Sequence, residues 1–338
     1  MIIALLIIIG AVVVVHELGH FLAARLMGAK VNTFSIGFGR PIIKWRDKKG
    51  TEWRIAWLPL GGFVGIYGQD DMFDRKKYEK LPADKKAGHY LSLRPWAQAI
   101  IIGAGVFMNM VFAWIIYTGL FMGTQTIQLP IVGASAAKEI RTGDIIMHLN
   151  GTRIDTWNDL LAAKEFSAGK EGNLIVIRDK KLVRIKMPAG KWGVAPDETR
   201  TETVRYGFFG AMGKAANELW TQSRLMITIL KQMIAGERSA KQLGGIIHIA
   251  DLGGRALAAG FAAMLTMLAL VSVSIGIVNL MPLPVLDGGF LLILLTETVT
   301  RRKLSGRPME WALRIGWGLL IALIFFTIWN DISRLMSK

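Results

Sequence analysis

Long apolar runs constrain this chain more than any other feature. Residues 2–15 are apolar throughout except for Gly10, and the run resumes after a polar interruption through Phe21, Leu22, Ala23 and Ala24 to Arg25. Residues 96–121, 261–280 and 311–328 repeat the pattern. Each is near the ~20 residues that cross the hydrocarbon of a bilayer. Four transmembrane helices are therefore expected, with both chain ends on one side. Leu22-Ala23-Ala24 is small enough for signal-peptide cleavage, but no Lys or Arg precedes the first run as a signal sequence requires.

Charge then orients the chain. The 338 residues carry 41 Lys+Arg against 25 Asp+Glu, a net +16. A nucleic-acid partner is not expected, since no zinc finger, aromatic RNP pattern or basic helical stripe accompanies that charge. Residues 25–94 hold 15 Lys/Arg against 7 Asp/Glu, and the loop after the third run holds Arg301, Arg302, Lys303 and Arg307. Both are placed in the cytoplasm by the positive-inside rule; Arg334 and Lys338 in the tail pull weakly the other way. There is no Cys, which excludes disulfides, thiolate metal ligands and Cys nucleophiles.

Two loops carry structure of their own. In the first, residues 41–45 and 53–57 alternate apolar and charged residues around the turn-like Asp47-Lys48-Lys49-Gly50, which predicts a β-hairpin. Its Trp residues and the following Pro59-Leu60-Gly61-Gly62-Phe63 favour dipping into the membrane interface. Residues 69–88 read as a solvated connector. In the long stretch from Thr124 to about Gly260, expected outside the cytoplasm, Ile145/Met147/Leu149, Leu174/Val176 and Val183/Ile185/Met187 alternate as strands. Asn150-Gly151 is a hairpin signal, and a short helix is expected around Trp157, Leu160 and Leu161. With Ser135-x-Ala137 and Gly143-Asp144-x-Ile146, this pattern resembles a bacterial PDZ domain. That resemblance implies a groove for an extended peptide; a packing domain without a ligand is the other reading. Between Tyr206 and Gly236 apolar residues recur at helical spacing, predicting amphipathic helices that lie on the outer membrane surface or pack on the PDZ-like domain.

The chemistry concentrates in His16-Glu17-Leu18-Gly19-His20, an H-E-x-x-H motif inside the first run. On a helix, positions i and i+4 share a face, so both imidazoles can reach one zinc ion. Glu17 points elsewhere and is expected to act as general base on a zinc-bound water, the arrangement of metal-assisted amide hydrolysis. Ionisable groups at a helix centre cost ~2.5–3.5 kcal/mol each on insertion scales, so this cluster needs a purpose; a polar knot between helices is the structural alternative. A catalytic zinc wants a third protein ligand. Asp287 is the better candidate, because Pro282 and Pro284 break the third run just before Leu286-Asp287-Gly288. Capping of the span is its structural alternative. The first and third runs share a direction and carry their motifs at the same end, which lets the two motifs meet within the cytoplasmic leaflet. A divalent-metal transporter or an inactive scaffold would use the same residues differently.

Together these motifs resemble the site-2 protease family of intramembrane zinc metalloproteases, and among them the bacterial regulator of sigma-E protease type with one PDZ domain. The resemblance rests on the H-E-x-x-H and L-D-G elements, Gly37-Phe38-Gly39, Gly61-Gly62, the PDZ-like insertion and the stretch from Asn279 to Gly289. It implies Zn2+ held by His16, His20 and Asp287, with Glu17 as base. It implies that Asn279, and Asn109 in Gly105-x-x-x-Asn109, position or polarise substrate; interhelical hydrogen bonding is the other role open to them. The loop around Gly61 and Gly62 would hold substrate as an extended strand. Val106, Phe290 and Gly244-Gly245-Ile-Ile depart from patterns common in relatives, without touching a proposed ligand.

The fold expected is thus membrane α-helical: four transmembrane helices, a membrane-associated β-hairpin in the first cytoplasmic loop, and an inserted mixed α/β PDZ-like domain. The divisions are a first transmembrane helix at 1–25, the hairpin loop at 26–95, a second transmembrane helix at 96–122 and the PDZ-like domain at 123–190. An amphipathic connector at 191–260, a third transmembrane helix at 261–290, and a basic loop with the fourth helix at 291–338 complete the chain. The function implied is endopeptidase cleavage in or near the transmembrane segment of single-pass proteins, such as an anti-sigma factor or a signal-peptide remnant. The setting implied is the bacterial inner membrane, with the lipid bilayer as surroundings, the PDZ-like domain in the periplasm, and a peptide or substrate ectodomain as its ligand.

Overall fold

The computed structural model describes residues 1–72, 75–135, 137, 139–167, 171–188, 192–239, 244–302, 304 and 306–336. Lys303 and Lys338, counted in the charge argument, lie outside them. In chain order, helix α1 (Ile2–Leu26) leads to strands β1 (Val31–Arg46) and β2 (Glu52–Ile66), short helices α2 (Arg75–Glu79) and α3 (Ala83–Lys86), and the long α4 (Pro95–Met122). Strands β3 (Gln125–Gln128), β4 (Val132–Ser135), β5 (Ile145–Leu149) and β6 (Thr152–Arg153) precede α5 (Trp157–Phe166). Strands β7 (Gly172–Arg178), β8 (Lys181–Met187), β9 (Val194–Pro196) and β10 (Thr201–Val204) follow. Helices α6 (Phe208–Ile234), α7 (Ile246–Ala259), α8 (Phe261–Asn279), α9 (Asp287–Thr300) and α10 (Arg307–Met336) end the chain. Two compact units result: Met1–Ile116 with Leu243–Lys338, and Tyr117–Gln242.

In the first unit, α1, α4, α8 and α10 are long and apolar enough to cross a membrane. α1 and α8 pack through Ala4, Ile8 and Val12 against Met264, Leu268 and Val271. The lower half of α1 joins a second cluster in which Phe21, Phe34, Tyr90 and Ile101 bring α1, β1 and α4 together. β1 and β2 pair antiparallel about a turn at 47–51, where 43–46 meet 52–55, and then curl back so that residues 33–36 lie between 52–55 and 62–65 and pair with both. This hairpin is longer at both ends than the alternation alone indicates. Asp47 closes the turn: its carboxylate accepts from the backbone N–H groups of Lys49 and Thr51, from Trp53 Nε1 and from Arg25. α8 stops at Asn279 because Pro282 and Pro284 cannot continue it, and α9 starts at Asp287. The expected basic loop after residue 290 is therefore helix as far as Thr300. The stretch 69–88 is exposed over most of its length, as expected of a solvated connector, and makes a buried contact besides. It carries Arg75, which donates at 2.6 Å to Glu297 of α9, a residue 3% exposed.

The second unit holds a four-stranded sheet in the order β6-β5-β7-β8, all pairs antiparallel. Asn150 and Gly151 both take positive φ in the β5–β6 turn, as a two-residue hairpin demands. A capping box between Thr156 and Asp159 starts α5. Trp157 and Leu160 on that helix pack on Ile146, Leu149, Leu174 and Val176 of the sheet.

Candidate metal centre

The centre lies in the first unit, where α1, α4 and the start of α9 meet. His16 and His20 sit one turn apart on α1 and their Nε2 atoms are 3.2 Å from one another. Asp287 Oδ2 lies 3.2 Å from His16 Nε2 and 3.5 Å from His20 Nε2. A tetrahedron built on zinc–ligand distances of about 2.0–2.1 Å has edges of about 3.3–3.4 Å. The three donor atoms thus already stand at the spacing of three corners. Despite this closeness Asp287 Oδ2 is buried without a hydrogen bond. A buried carboxylate oxygen facing two imidazole nitrogens at this spacing fits a cation held in common. Among the described residues, these are the three His, Asp or Glu side chains grouped closely enough to hold a metal.

The histidines are prepared from behind. His20 Nδ1 faces the Ile101 carbonyl oxygen at 2.8 Å. A carbonyl only accepts, so Nδ1 carries the proton and Nε2 keeps its lone pair for a metal. The close approach of α4 depends on two glycines. A Cβ at Gly105 would lie 2.7 Å from Cε1 of both His16 and His20, and one at Gly19 would lie 2.7 Å from the Ala104 carbonyl carbon. The start of α9 is similarly tight, since a Cβ on Gly288 or Gly289 would strike the backbone of Leu280 or Leu283. That packing holds Asp287 in the first turn of α9, where the helix dipole favours an anion.

Glu17 stands outside the ligand triangle and lines a cavity of ≈ 330 Å³ together with His16, His20, Asn279 and Asp287. Phe63, Val64 and Ile66 of β2 line the same cavity beside it. Asn279 Nδ2 is 3.4 Å from His16 Nε2. Asn109 approaches the other side of the same ring, its Nδ2 3.3 Å from His16 Nδ1. It is fully buried and lines no part of the cavity. Of the loop glycines, Gly62 is near the site, where an added Cβ would be 3.6 Å from Glu17 Cγ. Gly61 packs instead under the Phe38 ring with φ +136°. The Ile101 carbonyl, the Gly19 crossing and Gln69 on the cavity wall were not among the residues the sequence singled out. A main-chain acceptor leaves no mark in side-chain identity, whereas Gly19, inside the H-E-x-x-H motif, was a legible small residue on a helix face.

Two histidines and an aspartate converging beside a cavity-lining glutamate, all carried on or between apolar helices, define a metal-dependent hydrolase of the membrane. The family model described as Peptidase family M50 matches residues 4–323. A Campylobacter jejuni protein bearing a zinc metalloprotease name is 37% identical over 99% of this chain and 94% of its own length. Metalloprotease MmpA of Caulobacter vibrioides is 31% identical over 99% of this chain and 96% of its own. A Helicobacter pylori protein, also named as a zinc metalloprotease, is 29% identical over 99% and 100%. The chain belongs to peptidase family M50, the site-2 proteases, and is a metalloprotease.

Proposed function

We propose that this metalloprotease is an intramembrane endopeptidase that cuts single-pass membrane proteins within or near their transmembrane segment, with an anti-sigma factor or a signal-peptide remnant as the kind of substrate. The observation that carries the reading is Glu17, which shares the cavity with the ligand triangle but is not part of it. Its family uses Zn2+, which His16, His20 and Asp287 would hold and which supplies Lewis acidity toward water and the scissile carbonyl. Glu17 takes the proton of the attacking water on its carboxylate and returns it to the leaving amine nitrogen as the C–N bond breaks. Asn279, on the cavity wall, offers an N–H to the carbonyl oxygen that gains charge. Val13, Phe63, Ile101 and Ile275 make part of the wall apolar and suit an apolar peptide.

A helical substrate hides its carbonyls in its own hydrogen bonds and must be extended before it is cut. Residues 33–36 of β1 pair on one side with 52–55 and on the other with 62–65 of β2, and 52–55 pair also with 43–46, so the edge left for such a segment beside the cavity is the outer side of 62–65, at Gly62 and Phe63. The charge distribution supports a cytoplasmic hairpin and a catalytic centre in the cytoplasmic leaflet, since His20 lies six residues before the end of α1, about 9 Å along its axis. The second unit would then lie in the periplasm as a PDZ-like filter for substrate ectodomains, with the exposed Trp220, Ile227 and Ile234 stripe of α6 resting on the membrane surface.

Replacing Glu17 by Gln tests the reading. Zinc content should stay at the wild-type value while cleavage of a reconstituted transmembrane substrate falls by about 10²–10⁴-fold. Unchanged cleavage by that variant would remove Glu17 as the base.

A further inference from the structure

We propose that Asn109 is the positioning residue of the His16 ligand, acting from behind the ring through its carboxamide oxygen rather than on substrate. The proposal rests on the metallopeptidase reading of the centre. Asn109 is 0% exposed and absent from the cavity wall, so a substrate in that cavity does not reach it. Asn279, by contrast, lies on the wall and approaches the Nε2 side of His16. One imidazole therefore separates two asparagines, with the ligand edge toward Asn279 and the rear edge toward Asn109.

The chemistry of the ring assigns the role. His16 Nε2 is the atom that converges with His20 Nε2 and Asp287 Oδ2. An imidazole that gives the Nε2 lone pair to a cation carries its proton on Nδ1 and needs an acceptor there. What faces Nδ1, at 3.3 Å, is the Asn109 carboxamide, and its oxygen is buried with no hydrogen-bond partner. Turning the carboxamide about its Cβ–Cγ bond brings that oxygen to Nδ1–H; with nitrogen facing nitrogen, the ring would have to be protonated on the ligand side instead.

The arrangement repeats what α4 does for the other ligand. His20 Nδ1 is held by the Ile101 carbonyl of α4. Residues 101, 105 and 109 follow one another at four-residue spacing and so lie along one face of that helix. Ile101 serves His20, Asn109 serves His16, and Gly105 between them makes room for both rings. Asn109 is itself fixed from α8, where Ser272 Oγ donates to its backbone carbonyl at 2.9 Å and a Cβ on Gly276 would lie 3.6 Å from its own Cβ.

The test compares zinc affinity with catalysis in the full-length protein, in detergent or nanodiscs, by competition with a chromophoric chelator. Asn109→Leu keeps the bulk and removes the acceptor; it should weaken zinc binding by about 10–100-fold. Asn109→Asp keeps an oxygen toward Nδ1 and lacks only the amide N–H, so it should bind zinc within about threefold of wild type. Asn279→Leu should hold zinc as wild type does while kcat/KM on a transmembrane substrate falls. Wild-type zinc affinity in a folded Asn109→Leu variant with raised KM would overturn the proposal in favour of substrate positioning. Equal loss of affinity in the Leu and Asp variants would overturn it in favour of the carboxamide N–H, and if the Leu variant does not fold, the Asp variant alone decides by binding zinc normally or not. Glu17→Gln, tested in parallel, fails or survives independently, since it reads base catalysis and not ligand orientation.

Discussion

Asp144 and Asp287 are both largely withdrawn from water, and they differ in what surrounds their oxygens. Asp144, in the second unit, is 1% exposed and fully engaged by donors. Arg178 reaches it with Nε at 2.8 Å and Nη2 at 2.7 Å, and the Arg141 N–H adds a third bond at 2.9 Å. Asp287 Oδ2, in the first unit, is surrounded by ring nitrogens at 3.2 and 3.5 Å and makes no hydrogen bond. A carboxylate met by donors is finished as part of the fold. One left without a donor among imidazole nitrogens has the surroundings of a metal ligand.

The largest effect that could break this contrast belongs to Asp287. Asp287→Ala should abolish stoichiometric zinc and lower cleavage on the order of a thousandfold or more, because two imidazoles alone make a weak site. Its melting temperature in the zinc-free state should stay within a few degrees of wild type, since no hydrogen bond is lost. Retained zinc together with a large fall in melting temperature would show Asp287 to be a structural residue after all. The converse holds for Asp144→Ala. That change leaves the Arg178 guanidinium without its partner in a mostly buried place, and should destabilise the second unit by about 3 kcal/mol. Zinc content should remain unaltered. Thermal unfolding and metal analysis on the same two preparations decide both cases.

How much of this was legible in the sequence follows the same division. Groups that act through side chains at fixed local spacing stood out: His16, Glu17 and His20 within one turn, and Asp287 beside two prolines that end α8. The four long helices were equally plain, because only continuous apolarity is needed to recognise them. Contacts over long sequence distance were not. Arg75 and Glu297 are 222 residues apart, and nothing local marks either as the other's partner. The Ile101 carbonyl that orients His20 belongs to the backbone, which every residue has. The extent of β1 and β2 was missed because positive-φ glycines at 37 and 39 and irregular pairing interrupt the two-residue period on which strand recognition depends. Helix α9 was missed because a helix starting directly after a proline-rich break reads as a loop until the close approach allowed by Gly288 and Gly289 is known.

The smallest effect sharpens the structural half of the contrast through pH. Burial alone would raise the Asp144 pKa, but the Arg178 fork and the Arg141 N–H outweigh it and hold the carboxyl below its ordinary 3.8. A carboxyl whose pKa is lower folded than unfolded stabilises the fold above the unfolded value. That contribution declines as pH falls through 3.8 and is gone once pH passes below the folded value. Asp144→Asn preserves shape but cannot ionise, so it lacks this pH dependence. The difference in unfolding free energy between wild type and Asp144→Asn should therefore be constant from neutral pH down to about 5 and shrink below pH 4. Subtracting the variant removes the carboxylates common to both proteins, Asp197 included, so the slope that remains belongs to Asp144 and its arginine. A difference that stays flat down to pH 2.5 would mean that the Arg178 fork confers geometry without stability, and the second unit would then owe its cohesion to the apolar cluster around Trp157 and Leu160.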